Sequence, residues 1–259
     1  MDPVLSHISA LEYWRSVRVG QRSFRSVDDA RPLLAEPPCK GMLAEPGPWW
    51  LTRPLHVLVS NDAARRTSSE VISHVEGEAL PPRSILDTMN GFSVCSPELC
   101  FVQMATIWEL TKLIELGFEL CGTYDTSNGS QRECAPLTSV AKLTAYVNGL
   151  RTTHGKRNAA QALTYVENGS ASPRETALTM QLTLPYRRGG YGLEPPLLNH
   201  RVDLGRRERR IAGRAYLVCD LYWSKGKLDV EYDGGDHADP ERMLKDSMRR
   251  DALVSMGIT

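Results

Sequence analysis

The chain has 259 residues, of which 41% are hydrophobic and 24% charged, and its 31 basic and 31 acidic residues give a net charge of zero. This length allows one large domain or two modest ones with their own cores. The apolar runs are too short to cross a bilayer, and the amino terminus lacks the basic and apolar regions of a signal peptide, so we expect a cytoplasmic protein without membrane contact. Zero net charge excludes a global attraction to nucleic acid, and any such contact has to come from local patches.

Six cysteines are scattered along the chain without the spacing of a disulfide scaffold. In a reducing compartment they are expected to be free thiols. Cys95 and Cys100, together with Cys121 and Cys134, form an alternative set of zinc ligands, but their spacing fits no standard zinc knuckle. Buried structural cysteine is therefore the favoured interpretation.

Residues 1–169 are predicted to form an α+β domain. The apolar and β-branched run Leu55–Ser60 predicts a strand. A helical pattern begins at Ser96, a good N-cap followed by Pro97 at the first helical position. This helix is expected to end near Gly117, and residues 118–124 have the composition of a strand.

Two further helices are predicted between Thr138 and Val166, around the sequence Thr153-His-Gly155. A domain boundary is placed near residues 168–171. Ser172 and Pro173 then repeat the cap-and-proline signal, with Glu175 in the first turn of a new helix. A short strand is predicted near residues 199–203.

The segment from Tyr216 to His237 predicts two short apolar strands joined by a turn at Ser224–Lys227. Asp220 lies on the first strand, and Glu231 and Asp233 lie on the second. A tight hairpin brings the three acidic groups together, where like charges repel unless a cation neutralises them. Hard oxygen ligands favour Mg²⁺ or Mn²⁺, which is typical of a phosphodiester-cleaving site. The alternative is that all three are polar residues on exposed strand faces.

Six arginines crowd into one segment before this hairpin. We expect them to contact nucleic-acid phosphates, and a merely solvated segment is the alternative. They are Arg201, Arg206, Arg207, Arg209, Arg210 and Arg214.

Residues 170–259 resemble the PD-(D/E)XK nuclease superfamily, in the branch similar to very-short-patch-repair endonucleases. That branch shows a helix with a glutamate, a strand with an aspartate, a strand reading Glu-x-Asp-Gly with a histidine shortly after, and a helix of the form Asp-x-x-Arg-x-x-x-Leu-x-x-x-Gly. The matching residues, in the family's order, are Glu175, Asp220, Glu231, Asp233, Gly234, His237, Asp246, Arg249, Leu253 and Gly257.

The resemblance implies a restriction-endonuclease-like α/β domain, with a small mixed sheet flanked by helices beginning near Pro173 and Pro240. Relatives usually continue past the position of Thr259 into another core strand, so either the sequence is cut there or the sheet of this domain ends early. Asp246 and Arg249 lie one turn apart on the last helix, and we expect them to form a surface ion pair of little energetic value.

The resemblance also implies a role for each site residue. Asp220 and Glu231 would bind the metal, with the carbonyl of Tyr232 as a further ligand. Asp233 stands where the superfamily usually has a lysine, and because a carboxylate cannot supply that positive charge, it would bind metal or orient water. His237 would transfer protons, since imidazole titrates near neutrality.

Glu175 would complete the acidic cluster from the neighbouring helix. Residues 1–169 resemble, more loosely, bacterial abortive-infection antitoxin-type regulators, through the strand at Leu55 and the helix at Ser96-Pro-Glu. The resemblances together imply a Mg²⁺-dependent DNA endonuclease in defence against phage or mobile DNA, with residues 1–169 recognising the substrate or a partner. A homodimer is a further expectation, since nucleases that cut both strands often dimerise. Two alternatives remain: a non-catalytic DNA-binding regulator on a degenerate nuclease fold, and a protein-interaction subunit of a defence complex.

Overall fold

The computed structural model describes residues 2–18, 25–26, 33–36, 50–76, 79–127, 129–151, 153–232 and 240–259. The protein is a mixed α/β chain that divides into two compact units, Met1–Val166 and Glu167–Thr259. The sequence placed this boundary three residues later, between residues 169 and 170. Among the described residues, the helices are all too short or too polar to cross a bilayer.

The first unit contains a six-stranded mixed sheet with the strand order β2-β5-β6-β1-β3-β4. Its central strand β1 pairs in parallel with β6 and antiparallel with β3, which in turn pairs in parallel with β4. Helix α1 follows β1 directly in the chain. The elements of this part are β1 (Val4–Leu5), α1 (His7–Val17), β2 (Arg25–Ser26), β3 (Leu55–Val59), β4 (Val71–Val75), β5 (Ile85–Asp87) and β6 (Ser93–Cys95).

Helices complete the first unit. The predicted cap at Ser96 is present, because its hydroxyl accepts a hydrogen bond from the Leu99 amide at 3.2 Å. The predicted helix pair around Gly155 is present as well, and Gly155 has the positive φ of 87° that suits glycine at the start of the second helix. The elements are α2 (Pro97–Met104), α3 (Leu110–Cys121), β7 (Tyr124–Asp125), β8 (Arg132–Glu133), α4 (Val140–Gly149) and α5 (Lys156–Leu163).

Two sequence predictions in this region are wrong. The helix expected to run to Gly117 is two helices, because the chain leaves α2 after Met104 and starts α3 at Leu110. Gly117 lies inside α3, where a Cβ would stand 2.5 Å from a methyl group of Val166. The glycine therefore permits close packing and does not end the helix. Phe118, expected in a strand, is a fully buried residue of the same helix.

The cysteine prediction is confirmed within the described residues. Five of the cysteines lie there and all five are free thiols, four of them buried. Burial raises the pKa of Cys100 to about 12, which makes it an inert core residue. Cys39 lies outside the described residues.

The second unit has a three-stranded sheet in the order β11-β10-β9, in which β10 pairs antiparallel with both neighbours. The predicted hairpin is present, whereas the mixed sheet expected here is antiparallel throughout the described strands. The last helix packs Ala252 and Leu253 against Leu217 and Cys219. The elements are α6 (Pro173–Thr183), β9 (Leu197–Asp203), α7 (Arg206–Ala212), β10 (Tyr216–Trp223), β11 (Leu228–Val230) and α8 (Pro240–Ser255).

Candidate functional site

The hairpin brings Asp220 and Glu231 together. The register pairs Leu221 of β10 with Val230 of β11, so the next positions outward are Asp220 and Glu231. The Asp220 amide donates to Glu231 Oε1 at 3.4 Å, and the Tyr232 amide donates to Asp220 Oδ2 at 3.0 Å. The two carboxylates thus share one small region at the end of the hairpin, as the sequence predicted.

A third carboxylate, Asp229, belongs to the same region and was missed in the sequence. Its side chain is only 5% exposed, and within the described part of the chain neither carboxylate oxygen has a hydrogen-bond partner. Burial, reinforced by the neighbouring Glu231 carboxylate, raises the pKa of Asp229 to about 7. The available signal was an acidic residue between Leu228 and Val230, two positions before Glu231. We call Asp220, Asp229 and Glu231 the carboxylate cluster.

Arg249 of α8 is the positive charge at this cluster. Its guanidinium donates to Glu231 Oε1, lies 3.6 Å from Asp229 Oδ2 and donates to the Val218 carbonyl at 2.5 Å. Burial disfavours the charged guanidinium, but the bond to Glu231 and the charges of both carboxylates raise the pKa of Arg249. The surface pair expected with Asp246 is therefore wrong, since among the described ion pairs Arg249 joins Asp229 and Glu231.

The charge on Asp220 is itself disfavoured. Burial raises the pKa of Asp220, the hydrogen bond from the Tyr232 amide lowers it in part, and the negative charges of Glu231 and Glu175 raise it further. Glu175 of α6 is therefore close enough for its charge to act on Asp220. The resemblance implied a glutamate in this position. An added cation would relieve the repulsion among these groups.

Glu175 also has a structural role that fixes its position. It sits in the first turn of α6, where Oε1 accepts from the Ser172 hydroxyl at 3.0 Å and Oε2 accepts from the Ala171 amide at 2.9 Å. Oε2 also accepts from Asn199 Nδ2 at 2.7 Å. The Ser172 hydroxyl in turn accepts from the Glu175 amide at 3.0 Å, so the two residues form a variant of the capping box in which the glutamate binds the serine hydroxyl and the preceding amide, and this orders the start of the helix.

Of the remaining predicted site residues, Tyr232 lies in the described part of the chain and contacts Arg174 of α6. The phenolic oxygen of Tyr232 accepts a hydrogen bond from Arg174, whose guanidinium lies 5.4 Å from the centre of the tyrosine ring. Asp233 and His237 lie outside the described residues. Their predicted roles in metal binding and proton transfer stay predictions.

Four of the six predicted phosphate-binding arginines lie on α7, so the basic segment is largely a helix. Arg209 is tied to the Leu204 carbonyl at 2.8 Å. Arg201 is tied to Asp203 at 2.8 Å and stacks over Tyr216, 4.1 Å from its ring centre. Arg206, Arg207, Arg210 and Arg214 are exposed or half-exposed.

One of these arginines lines a groove between the end of α7 and α8. The groove has a volume of about 550 Å³, and its lining combines apolar side chains with the basic residues Arg214, Lys245 and Arg249 and the acidic residue Asp246. Because Arg249 also holds the carboxylate cluster, the groove and the cluster share one residue. The apolar lining residues are Ala212, Leu217, Leu244 and Met248.

The chemistry of the cluster fits a hard divalent cation. It supplies carboxylate oxygens, the ligands that Mg²⁺ prefers, and the guanidinium of Arg249 is the cation that already lies beside Asp229 and Glu231. Within that part of the chain, no three His, Cys, Asp or Glu side chains already surround a common ion position. Asp220 and Glu231 are the residues that would hold a metal.

No protein-family model matches the chain, and no curated protein or solved structure is significantly similar to it.

Proposed function

We propose that the chain is a Mg²⁺- or Mn²⁺-dependent endonuclease that hydrolyses phosphodiester bonds of DNA. The observation that carries the proposal is the pairing of Asp220 with Glu231 across the hairpin, with the charge of Glu175 acting on the same carboxylate. The order of a helix with a glutamate, a strand with an aspartate and a second strand ending in a glutamate supports a restriction-endonuclease-like domain.

In this proposal Asp220 and Glu231 hold the metal, with the Tyr232 carbonyl as a further ligand. When bound there, Mg²⁺ or Mn²⁺ would supply Lewis-acid polarisation of the scissile phosphate and would lower the pKa of a water molecule. Tyr232 orients Asp220 by donating its amide hydrogen to Oδ2. Glu175, fixed by its capping bonds, keeps negative charge beside Asp220 and so favours a cation there.

Proton transfer is assigned to His237, and Asp233 to metal binding or water orientation, on the resemblance alone. The exposed arginines of α7, together with Arg214, would contact the phosphates of the strand. In the same proposal residues 1–169 recognise the substrate or a partner, in defence against phage or mobile DNA, and the protein works in the cytoplasm.

The test is a cleavage assay on plasmid and single-stranded DNA with Mg²⁺ or Mn²⁺. We expect Asp220→Asn and Glu231→Gln each to reduce cleavage at least about 100-fold, because each removes charge needed to hold the metal. Asp251→Asn, an exposed acidic residue of α8, is the matched control and should cleave like the wild type. Binding of Mn²⁺ followed by calorimetry gives an independent readout. Cleavage that survives EDTA, or equal loss in all three variants, would refute the proposal.

A second function is favoured by one specific observation. Arg249 already neutralises part of the cluster, as expected of a non-catalytic DNA-binding regulator that uses a degenerate nuclease fold as scaffold. That protein would bind DNA through the α7 arginines without metal. DNA binding that persists in EDTA, with no Mn²⁺ binding and no cleavage by any variant, would establish this alternative.

A further inference from the structure

The first unit contains a cavity that the proposed nuclease does not use. Its volume is about 360 Å³, within the range of small-molecule sites. Its walls combine an apolar part with three histidines and an arginine. The lining residues that matter here are His7, Arg65, His74, Glu76, Gln103 and His154, with Leu58, Val75, Leu99 and Val102 forming the apolar part.

Two of these histidines belong to a histidine cluster, which we define as His7, His56 and His74. The rings of His7 and His74 stack at 3.7 Å between centres, with an angle of 21° between their planes. His56 Nδ1 and His74 Nε2 share a hydrogen bond of 2.9 Å. The cluster joins α1 to the parallel strands β3 and β4, so three separate elements fix its geometry.

His7 is held in an unusual backbone conformation. Its φ of +48° lies in the left-handed region, which is uncommon for a residue other than glycine. Its amide donates to Gln103 Oε1 at 2.9 Å, and the Cys100 thiol donates to its carbonyl at 3.6 Å. Ring atom Nδ1 bonds the Ser6 hydroxyl at 3.1 Å. Conformations of this kind persist where the surroundings over-determine them, and they concentrate at binding and catalytic sites.

Both basic and acidic groups surround the two stacked rings. The titratable and charged groups that face them are His56 from β3, Arg65 from the segment before β4, Glu76 directly after β4, Cys100 from α2 and His154 from the segment before α5. Arg65 also pairs with the exposed Asp62 at 3.4 Å, and the charge of Glu12 acts on His56 from α1. Burial, then the neighbouring imidazoles, lower the pKa of His7 to about 3. Burial, then His56 and the charge of Arg65, lower the pKa of His74 to about 4.

We propose that this cavity binds a small organic anion, with a carboxylate or phosphate group beside His74 and Arg65 and an apolar body against Leu99 and Val102. Neutral imidazole N–H groups and a guanidinium are the donors such a group requires. A transition metal fits less well, because the rings of His7 and His74 stack face to face and their nitrogen atoms do not converge on one point.

Binding of an anion in this cavity should change how readily His7 and His74 take up protons. A negative charge beside His7 and His74 favours their protonated forms and offsets the repulsion from Arg65. The complex therefore takes up protons, and affinity rises as the pH falls below about 6.5, the ordinary pKa of histidine, towards the lowered pKa values of His7 and His74. Glu76 opposes the anion, so its removal should strengthen binding. None of this depends on the proposed nuclease activity.

The probes are phenyl phosphate, benzoate and inorganic phosphate, added to the full chain and compared with sodium chloride at equal ionic strength. We expect phenyl phosphate or benzoate to raise the melting temperature and to bind measurably by calorimetry. Arg65→Gln should weaken binding by roughly 10-fold or more, because a charge-assisted bond is lost. Arg66→Gln, the exposed neighbour, is the matched control and should change binding by less than about twofold.

Histidine signals in NMR spectra supply a readout that a structural role of Arg65 would not move. The imidazole resonances of His7 and His74 should shift on adding the organic probe, whereas those of His200 should not. Binding of phenyl phosphate alone identifies a phosphate ligand, binding of benzoate alone a carboxylate, and either result supports the site. No binding of either probe, equal loss in Arg65→Gln and Arg66→Gln, or inorganic phosphate binding as tightly as phenyl phosphate would overturn the proposal.

Discussion

The two units contain like ionisable groups packed together, and each handles the repulsion differently. In the second unit, the carboxylate cluster gathers acidic groups around the guanidinium of Arg249. In the first, burial lowers the pKa values of the three rings of the histidine cluster, and the charge of Glu12 opposes this only at His56. The guanidinium of Arg249 thus offsets part of the negative charge of the carboxylate cluster, whereas the rings of the histidine cluster avoid repulsion by staying uncharged.

The comparison explains why the two sites suit opposite ligands. Negative charge in the carboxylate cluster is still disfavoured, because burial and then mutual repulsion raise the pKa values of Asp220 and Asp229 despite Arg249. A cation would relieve that repulsion. The histidine cluster lies beside Arg65 and gains from an anion instead. The carboxylate cluster is therefore expected to favour a cation, and the histidine cluster is expected to favour an anion.

The largest expected effect comes from removing the cation of the carboxylate cluster. Arg249→Met keeps the apolar stem but leaves Asp229 and Glu231 without their partner. Breaking such a pair leaves buried charge uncompensated, and we expect the free energy of unfolding to fall by about 3 kcal/mol at pH values well above 7, where Asp229 is ionised in the wild type, and by less at lower pH. Urea denaturation in EDTA measures this loss.

Two further variants make that result specific. Arg250→Met removes an exposed arginine from the next position of α8 and should cost less than about 0.5 kcal/mol. Adding Asp229→Asn to Arg249→Met should recover part of the loss, because the buried charge is gone. If Arg249→Met is as stable as Arg250→Met, then Arg249 does not hold the cluster and the comparison between the units fails.

The next largest effect is on stability as the pH falls, which should change in opposite directions in the two units. The pKa of His7 is lowered to about 3 and that of His74 to about 4, so the unfolded first unit binds more protons below the ordinary histidine pKa of 6.5, and its stability falls as the pH falls. The pKa of Asp229 is raised to about 7 from 3.8. The folded second unit therefore binds the extra proton between these values, and its stability rises as the pH falls through them.

Hydrogen exchange followed by mass spectrometry separates these responses, since peptides report on each unit. Between about pH 7.5 and pH 5.5, in EDTA, protection factors should fall about tenfold for each of His7 and His74, roughly 100-fold together, in the core strands of the first unit. They should rise about tenfold or more in the second unit. His74→Asn should reduce the fall in the first unit, whereas His200→Asn should not. A change of the same sign in both units would contradict the prediction.

Signals that lie within a few residues were sufficient for much of the fold. The caps at Ser96 and Ser172, the pair of helices around Gly155 and the hairpin at Ser224–Lys227 each depend on contacts between neighbours in the chain. The predicted end of the helix near Gly117 was wrong because this glycine allows close contact with Val166, a residue far along the chain in the segment after α5. Long-range packing of this kind has no local pattern in the sequence.

The same distinction applies to the sites. Asp220 and Glu231 were predicted because a hairpin turn fixes which residues face each other. Asp229 was missed because its burial depends on α8, which supplies Arg249 from a distant part of the chain. His56 and His74 interrupt apolar strands, but only the parallel pairing of β3 with β4 and the start of α1 bring them to His7.

The smallest expected effect concerns the helix cap that supports the carboxylate cluster. The Ser172 hydroxyl exchanges two hydrogen bonds with Glu175, and Ser172→Ala should lower the free energy of unfolding by about 1 kcal/mol. Ser139 is the matched control in the first unit, because it caps α4 with a single bond of 3.3 Å to the Lys142 amide. Ser139→Ala should therefore cost about half as much.

The same cap variant should have little effect on the proposed DNA cleavage. Glu175 keeps its bonds from the Ala171 amide and Asn199 in the Ser172 variant, so DNA cleavage should change by less than about threefold. Glu175→Gln retains the shape of the side chain and removes its charge beside Asp220, and a much larger loss of cleavage in this variant would assign Glu175 an electrostatic role beyond its cap.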